Sequence, residues 1–406
     1  MGGRDPHDDG RVATSLELFY DLVFVVAFSA AGTQVAHYLA EGHFQTALVG
    51  YVLCTFAAIW AWINFAWFAS AFDTDDWFFR LITLVQMIGV AIIALGIPDV
   101  FNSLDDHRHV DNRVLVIGYI IMRVGMVAQW LRAAAESRKY RRACLIYAGM
   151  ALLAQFGWVA VLIADMSVVP ALVGMTACVA AELLGPFIGE QHSGTGTPWH
   201  AHHIAERYSA LTIITLGEGV VGTVAVLGAL IQIEGWSIDT AVLGLSAMGA
   251  TFAMWWMYFI VPVGDALHHH RTKSFGFGYG HIIIFMAAAA VGAGLHVAAL
   301  YVEHEVRIGP GAVVACVAVP LGIYCLGVLA LYDYLLPFDP LTLVLGAAVT
   351  ALLVAAVWLA VAGVSVVIAV VVATLAPVLI VVIDETLGVP RRAREFAAIG
   401  VEGTVA

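Results

Sequence analysis

The sequence is short of charge and has no basic tracts. Of its 406 residues only 12% are Asp, Glu, Lys or Arg, whereas 62% are hydrophobic. A soluble domain carries about 25% charged and about 45–50% apolar residues, so an ordinary soluble enzyme of this length is excluded. The charge that remains is unbalanced: 18 Lys and Arg face 30 Asp and Glu, a formal net charge of −12. Nucleic acid as a partner calls for Lys/Arg-rich stretches interleaved with aromatics, and none occurs. There is no Gly-rich phosphate loop with its Lys, which argues against ATP-driven work, and no cofactor is expected. The five cysteines, Cys54, Cys144, Cys178, Cys316 and Cys325, lie in apolar runs at spacings of neither a disulfide framework nor a zinc site and read as core filler. The opening MGGRDPHDDGRVATS is polar, and the apolar stretch after it lacks a small-residue cleavage site. No cleaved signal peptide is expected, and the first helix should stay.

What the chain does have is long apolar runs. LITLVQMIGVAIIALGI and ALLAQFGWVAVLIADM approach the roughly 20 residues that cross a bilayer, and the run from Leu341 to Ile383 is long enough for two crossings. Cutting at polar and Pro/Gly-rich breaks predicts an all-α, polytopic membrane protein with spans at 16–40, 44–71, 79–100, 114–135, 142–165, 168–190, 204–230, 238–263, 279–301, 311–336, 341–361 and 364–384. Positive residues test that division, because Lys and Arg concentrate on cytoplasmic segments. With the N-terminus inside, the inner segments hold Arg4, Arg11, Arg80, Arg132, Arg138, Lys139, Arg141, Arg142, Arg207, Arg271, Lys273, Arg391, Arg392 and Arg394. The outer ones hold Arg108, Arg113 and Arg307, and Arg123 falls within a span. An even number of spans with both termini cytoplasmic follows.

The polar link GEQHSGTGTPWHAHH lies near the middle of the chain. It divides an N-terminal six-helix half (1–190) from a C-terminal one (204–390), with a cytoplasmic linker at 191–203 and a cytoplasmic tail at 391–406. ELFYDLVFVVAFS can be laid on ERYSALTIITLGE, and the order Trp60/Trp62, Asp73, Arg80 recurs as Trp255/Trp256, Asp265, Arg271. Two parallel six-helix repeats are expected, an arrangement found in secondary transporters.

An ionisable group inside the hydrocarbon costs several kcal/mol by insertion scales, about 3 for an acid at the centre, and is retained facing a partner. Glu17 and Asp21 share a helix face, Asp21 about 6 Å deeper. Glu17 near a helix N-terminus also has a bland explanation in the helix dipole. On the seventh span His203, Glu206 and Arg207 fall within one turn, which a self-neutralised cap would explain. Glu218 lies about 18 Å beyond Glu206, between Gly217 and Gly219, with no neutralising neighbour on its own helix. Arg123 needs an acid, and Glu17, Asp21 and Glu218 are the expected partners, in a buried network joining the first, fourth and seventh helices. Without traffic through it, such a network is a structural clamp. His281, at the start of the ninth span, is a candidate proton carrier or a structural hydrogen-bond donor. Arg80, His203, Tyr279 and Asp265 are secondary candidates. The clusters His200/His202/His203 and His268/His269/His270 lack the spacing of a defined metal motif, and no metal is expected.

Three of these stretches together resemble one family, the bacterial low temperature requirement A (LtrA) proteins: SLELFYDLVFVVAF, HIAERYSALTIITLGEGVV and GYGHIIIFMAAAAVG. The resemblance runs over nearly the whole chain in the same order. It implies an integral bacterial membrane protein linked by name to growth in the cold, in the plasma membrane, without an assigned chemistry. The residues matching its motifs are Glu17, Asp21, His203, Glu206, Arg207, Gly217, Glu218, Tyr279 and His281; Gly219 departs from a common Ser.

Three functional readings result. The first is a secondary transporter with a proton-coupled site made from Glu17, Asp21, Arg123, Glu206, Arg207, Glu218 and His281, acting on an unidentified small molecule or ion. The second is a membrane-embedded enzyme or lipid-handling protein with a cytoplasm-facing acid and His pocket; an enzyme is the less favoured of the two. The third is a structural protein of cold adaptation. The lipid bilayer is the expected partner, and the sequence leaves the oligomeric state open.

Overall fold

In the computed structural model no strand occurs among the described residues, and twelve helices are long and apolar enough to cross a membrane. The structure describes every residue except 7, 9, 10, 107, 108, 165 and 399–406. Arg108 and the last part of the expected 391–406 tail therefore lie outside the described residues. The spanning helices are α1 (Ser15–Glu41), α2 (Phe44–Phe72), α3 (Trp77–Asp105), α4 (Arg113–Glu136), α5 (Arg141–Ile163), α6 (Val168–His192), α7 (Ala201–Glu234) and α8 (Ile238–Phe259). After the short α9 (Val263–His269) come α10 (Ser274–Val302), α11 (Pro310–Leu335), α12 (Pro340–Val361) and α13 (Val366–Ile383). A π-helical turn at Asp384–Gly388 leads into α14 (Val389–Ala398). Hydrocarbon offers no partner for a backbone N–H or C=O, so a chain this apolar satisfies its backbone within helices.

The twelve expected spans each fall on one long helix, with two shifts that matter for the site. α7 begins at Ala201, so His203 belongs to the helix and not to a linker. α10 begins at Ser274, which places His281 two turns inside the helix and not at its start.

The chain forms two compact units, and each takes two stretches of sequence. The first contains Met1–Ala31 and Val49–Arg207; the second contains Gly32–Leu48 and Tyr208–Ala406. In the first unit α3 packs on α4, α4 on α5 and α5 on α6; in the second α10 packs on α11, α11 on α12 and α13, and α8 on α13. Small residues set the closest crossings. A Cβ at Gly89 of α3 would stand 2.7 Å from the carbonyl oxygen of Gly118 on α4, and one at Gly118 would stand 2.6 Å from that of Gly89. Bare backbones in contact are how helices associate where lipid removes the hydrophobic drive.

Along α1 the packing sorts the side chains. Glu17, Tyr20, Asp21, Phe24, Ala27 and Phe28 are buried, whereas Leu18, Phe19, Leu22 and Val26 are exposed. Burial at i, i+3, i+4 and i+7 is one helical face, and the two acids lie on it. From Leu18 to Val26 every exposed residue is apolar, as a lipid-facing surface must be.

The loop between α2 and α3 shows how charge is handled outside the membrane. Asp76 caps α3 by accepting from the Phe79 N–H at 2.9 Å and accepts from Arg132 at 2.9 and 2.6 Å. Those Arg132 bonds hold the Asp76 carboxyl below the usual carboxylate range. Because the folded value is depressed, the contribution is fully present above the unfolded pKa of about 4 and is lost as pH falls through the folded one. Asp76→Ala is expected to cost about 1–2 kcal/mol near neutral pH, measured as a lowered Tm in detergent. The difference from wild type should shrink on acidification; a pH-independent difference would refute the pairing.

Candidate ion-pair and proton site

In the first unit two residues of α1 meet two residues of α7 as a pair of rungs. Glu17 and Asp21 are four apart, and so are His203 and Arg207; a spacing of four puts each pair on one face, about 6 Å apart along the axis. On the lower rung His203 Nε2 lies 3.1 Å from Glu17 Oε1. On the upper rung Arg207 Nε donates to Asp21 Oδ2 at 3.2 Å and its Nη2 donates to Oδ1. Arg207 also ties the rungs together, with Nη1 3.0 Å from Glu17 Oε1. All four side chains are fully buried.

Neighbouring groups complete the shell. Trp62 Nε1 of α2 donates to Asp21 Oδ1 at 2.6 Å, and the Thr14 N–H donates to Glu17 Oε2 at 2.7 Å. The Arg207 guanidinium lies 5.7 Å from the Trp62 ring and 5.6 Å from the Phe65 ring, within cation–π range. Trp62 belongs to the site although the sequence marked it only as part of a repeat. At the helix entrance Arg11 donates to the carbonyls of Ser70 and Ala69 at the end of α2. Burial, with Arg4 second, pushes the Arg11 pKa down to about 10, so it stays charged. Glu206 does not pair with Arg207 or His203: it is exposed and accepts from the Ala13 N–H at 3.0 Å, fastening the N-terminal segment.

The charge balance of the cluster is incomplete. Two carboxylates face one guanidinium, so the group is neutral only when one further proton resides on the Glu17–His203 pair. His203 Nδ1 is buried and has no hydrogen-bond partner among the described residues. A ring that donates through Nε2 to Glu17 therefore has a vacant second nitrogen at which a proton can arrive.

The family model for the bacterial low temperature requirement A protein (LtrA) matches residues 12–377, a stretch that holds all four of these residues. The chain belongs to the LtrA family. No curated protein and no solved structure matches it. An LtrA chain with twelve such helices is a multi-pass protein of a lipid bilayer.

Arg123 is placed elsewhere than expected. It pairs with Glu182 of α6, not with the acids of α1. Tyr119 donates to Glu182 Oε2 at 2.6 Å, Trp158 Nε1 donates to Oε1 at 3.0 Å, and Arg123 Nη2 donates to the Tyr119 hydroxyl at 2.6 Å. The side chains of Arg123 and Glu182 are 2% and 3% exposed, so this is a closed clamp between α4 and α6. Sequence reasoning passed over Glu182, although an acid in the run VAAELLGPF was a visible signal.

In the second unit the LtrA motif residues are arranged differently. His281 is fully buried among the rings of Tyr208, Phe277, Tyr258 and Phe285. Its Nδ1 donates to the Phe277 carbonyl at 2.7 Å, and its Nε2 accepts from the Tyr258 hydroxyl at 2.8 Å, both bonds belonging to the neutral ring. Glu218 is 9% exposed, and no ion pair or hydrogen bond of its carboxylate occurs among the described residues. It lies beside the closest α7–α10 crossing, where a Cβ on Gly292 would strike the Glu218 carbonyl and one on Gly222 would strike that of Gly292. A Cβ on Gly219 would stand 2.8 Å from the Thr251 hydroxyl, so the Ser common in the family at this position would need Thr251 to move. Tyr279 is half-buried against Phe275, Asp265 is half-buried on α9, and Arg80 is exposed and paired with Asp75 at 2.8 Å.

Proposed function

We propose that this LtrA protein is a proton-coupled secondary transporter of the bacterial plasma membrane, carrying a small molecule or ion of unassigned identity. One observation carries the reading: a fully buried cluster in a membrane span that holds two carboxylates, one guanidinium and a histidine with a vacant nitrogen. Such a cluster changes charge by one on gaining or losing a proton, and in a low dielectric that change is large enough to bias which helix packing is favoured. Glu218, a buried acid without a counter-charge among the described residues, is the second proton-bearing group in this reading, and the six-helix halves 1–190 and 204–390 are the parallel repeats that move. The buried pairing of Arg123 with Glu182, enclosed by Tyr119 and Trp158, supports a clamp in place of a seat in the path, and the two ring hydrogen bonds of His281 support a neutral positioning role. Glu206 and Arg80 serve the cytoplasmic rim.

The test is proton movement in proteoliposomes loaded with a pH-sensitive dye, under an imposed pH gradient and a panel of amino acids, organic acids and quaternary amines. Wild type should show substrate-dependent proton flux. Glu17→Gln leaves Asp21 and Arg207 balanced without a proton, and it should fold normally while flux falls to that of empty liposomes; Glu218→Gln should do the same. Undiminished flux in both variants refutes the mechanism.

A further inference from the structure

A second site lies in the second unit, where the ends of α8, α11, α12 and α13 meet α14 around a cleft open to its surroundings. Its wall is apolar, with Met257, Leu329, Leu345 and Ile380, and its rim is charged. Tyr332 holds the back of the cleft by donating to the backbone carbonyls of Met257 and Tyr258.

The rim charges do not cancel. Arg391 pairs with Asp339 at 2.6 Å, and Arg392 pairs with Asp384. Asp339 also caps α12 through the Leu341 N–H at 3.0 Å. The Asp384–Arg392 contact depends on Gly388 in the π turn, where a Cβ would strike Asp384 and come within 3.2 Å of Arg392. π turns inside helices recur at functional sites because the extra residue redirects side chains. Two further acids line the cleft without a cation of their own: Asp333, which accepts from the Thr342 hydroxyl at 2.7 Å, and Glu395, which has no hydrogen bond or ion pair among the described residues. Both are half-buried. Arg392 supplies the opposite demand: its side chain is 9% exposed, it lines the cleft, and its Nε has no acceptor among the described residues.

An occupant satisfying all three features carries an ammonium for Glu395 and Asp333, an anionic oxygen for Arg392 Nε and an apolar body for the wall. The geometry points to an aminophospholipid, with the ammonium–phosphate zwitterion of its headgroup in the cleft and its chains along the apolar wall. A free zwitterion of the same headgroup chemistry meets the rim but leaves the wall empty. The cleft stands at helix ends that the distribution of Lys and Arg assigns to the cytoplasmic leaflet, where headgroups lie. This lipid site is separate from the proton cluster and stands or falls without it.

The experiment is native mass spectrometry of the full-length, delipidated protein in detergent, titrated with phosphatidylethanolamine, phosphatidylglycerol or soluble phosphoethanolamine. Phosphatidylethanolamine should be retained in preference to phosphatidylglycerol, with soluble phosphoethanolamine far weaker than either. Glu395→Gln, which removes a partnerless carboxylate and leaves the packing intact, should weaken phosphatidylethanolamine about tenfold and spare phosphatidylglycerol. Asp333→Asn should act in the same direction. Equal retention of the two lipids by wild type overturns the assignment, as does unchanged phosphatidylethanolamine binding in both variants. Soluble phosphoethanolamine binding as tightly as the lipid would also overturn it, in favour of a free zwitterion. Proton flux is expected to be unchanged in both variants, so loss of lipid selectivity and loss of coupling are read separately.

Discussion

Arg207→Ala is expected to abolish recovery of a folded, monodisperse protein from detergent, or to lower its stability by about 3–5 kcal/mol, the usual consequence of stripping one partner from a buried ion pair. The substitution leaves Glu17 and Asp21, both fully buried, facing each other across one helical turn with no counter-charge. Arg207→Lys should not restore stability. The guanidinium reaches Asp21 through two nitrogens and Glu17 through a third, a fork that one ammonium cannot reproduce. The informative control is the triple variant Glu17→Gln/Asp21→Asn/Arg207→Met, which removes charge from both sides and should regain most of the lost stability, because neutral replacements of buried ion pairs are often tolerated. Melting followed by intrinsic fluorescence in one detergent compares all of them. Wild-type stability in Arg207→Ala would show that the cluster bears no structural weight.

Glu182→Gln should produce the second large effect, again about 3–5 kcal/mol, by leaving the Arg123 guanidinium uncompensated in the interior of α4. Tyr119 and Trp158 lose a charged acceptor in the same step. Arg123→Met alone should be comparably damaging, because it strands the carboxylate. The double variant Arg123→Met/Glu182→Met should be markedly less destabilised than the sum of the two, with a coupling of about 2–3 kcal/mol in a double-mutant cycle. Additive single effects would show that the two side chains do not interact. The cycle also bears on function, since a clamp alters stability while leaving the proton flux of the surviving folded fraction intact.

Much of the helical architecture could be read from composition, because apolar runs near 20 residues admit few other structures in hydrocarbon. Within α1 the buried face was legible for a related reason: acids cannot face lipid, so Glu17 and Asp21 mark the inward side, and Tyr20 and Phe24 follow from the helical period. The partners were harder. Asp21 and Arg207 each lie about 9 Å from the start of their helices, whereas Arg123 lies about 15 Å along α4 and Glu182 about 21 Å along α6. With α1 and α7 running one way and α4 and α6 the other, Asp21 and Arg207 lie at equal depth, while Arg123 and Glu182 lie about 6 Å apart, one helical turn that the long arginine side chain spans. Depth could therefore have separated the pairs, but charge alone treated every buried acid as equivalent.

By itself the sequence determined the kind of protein, the number of spans, the residues that must face inward and the four-residue spacings that make Glu17/Asp21 and His203/Arg207 commensurate. These are local quantities, set by helix periodicity and by the solvation cost of charge. Only the tertiary structure decided which inward residues meet. It paired Arg123 with Glu182, turned Glu206 outward to the N-terminal segment, enclosed His281 in aromatic rings and left Glu218 without a counter-charge among the described residues. Contact between helices depends on their rotation and depth. Those are fixed by close crossings such as Gly89 against Gly118 and by hydrogen bonds reaching across the packing, neither of which is encoded within a single helix.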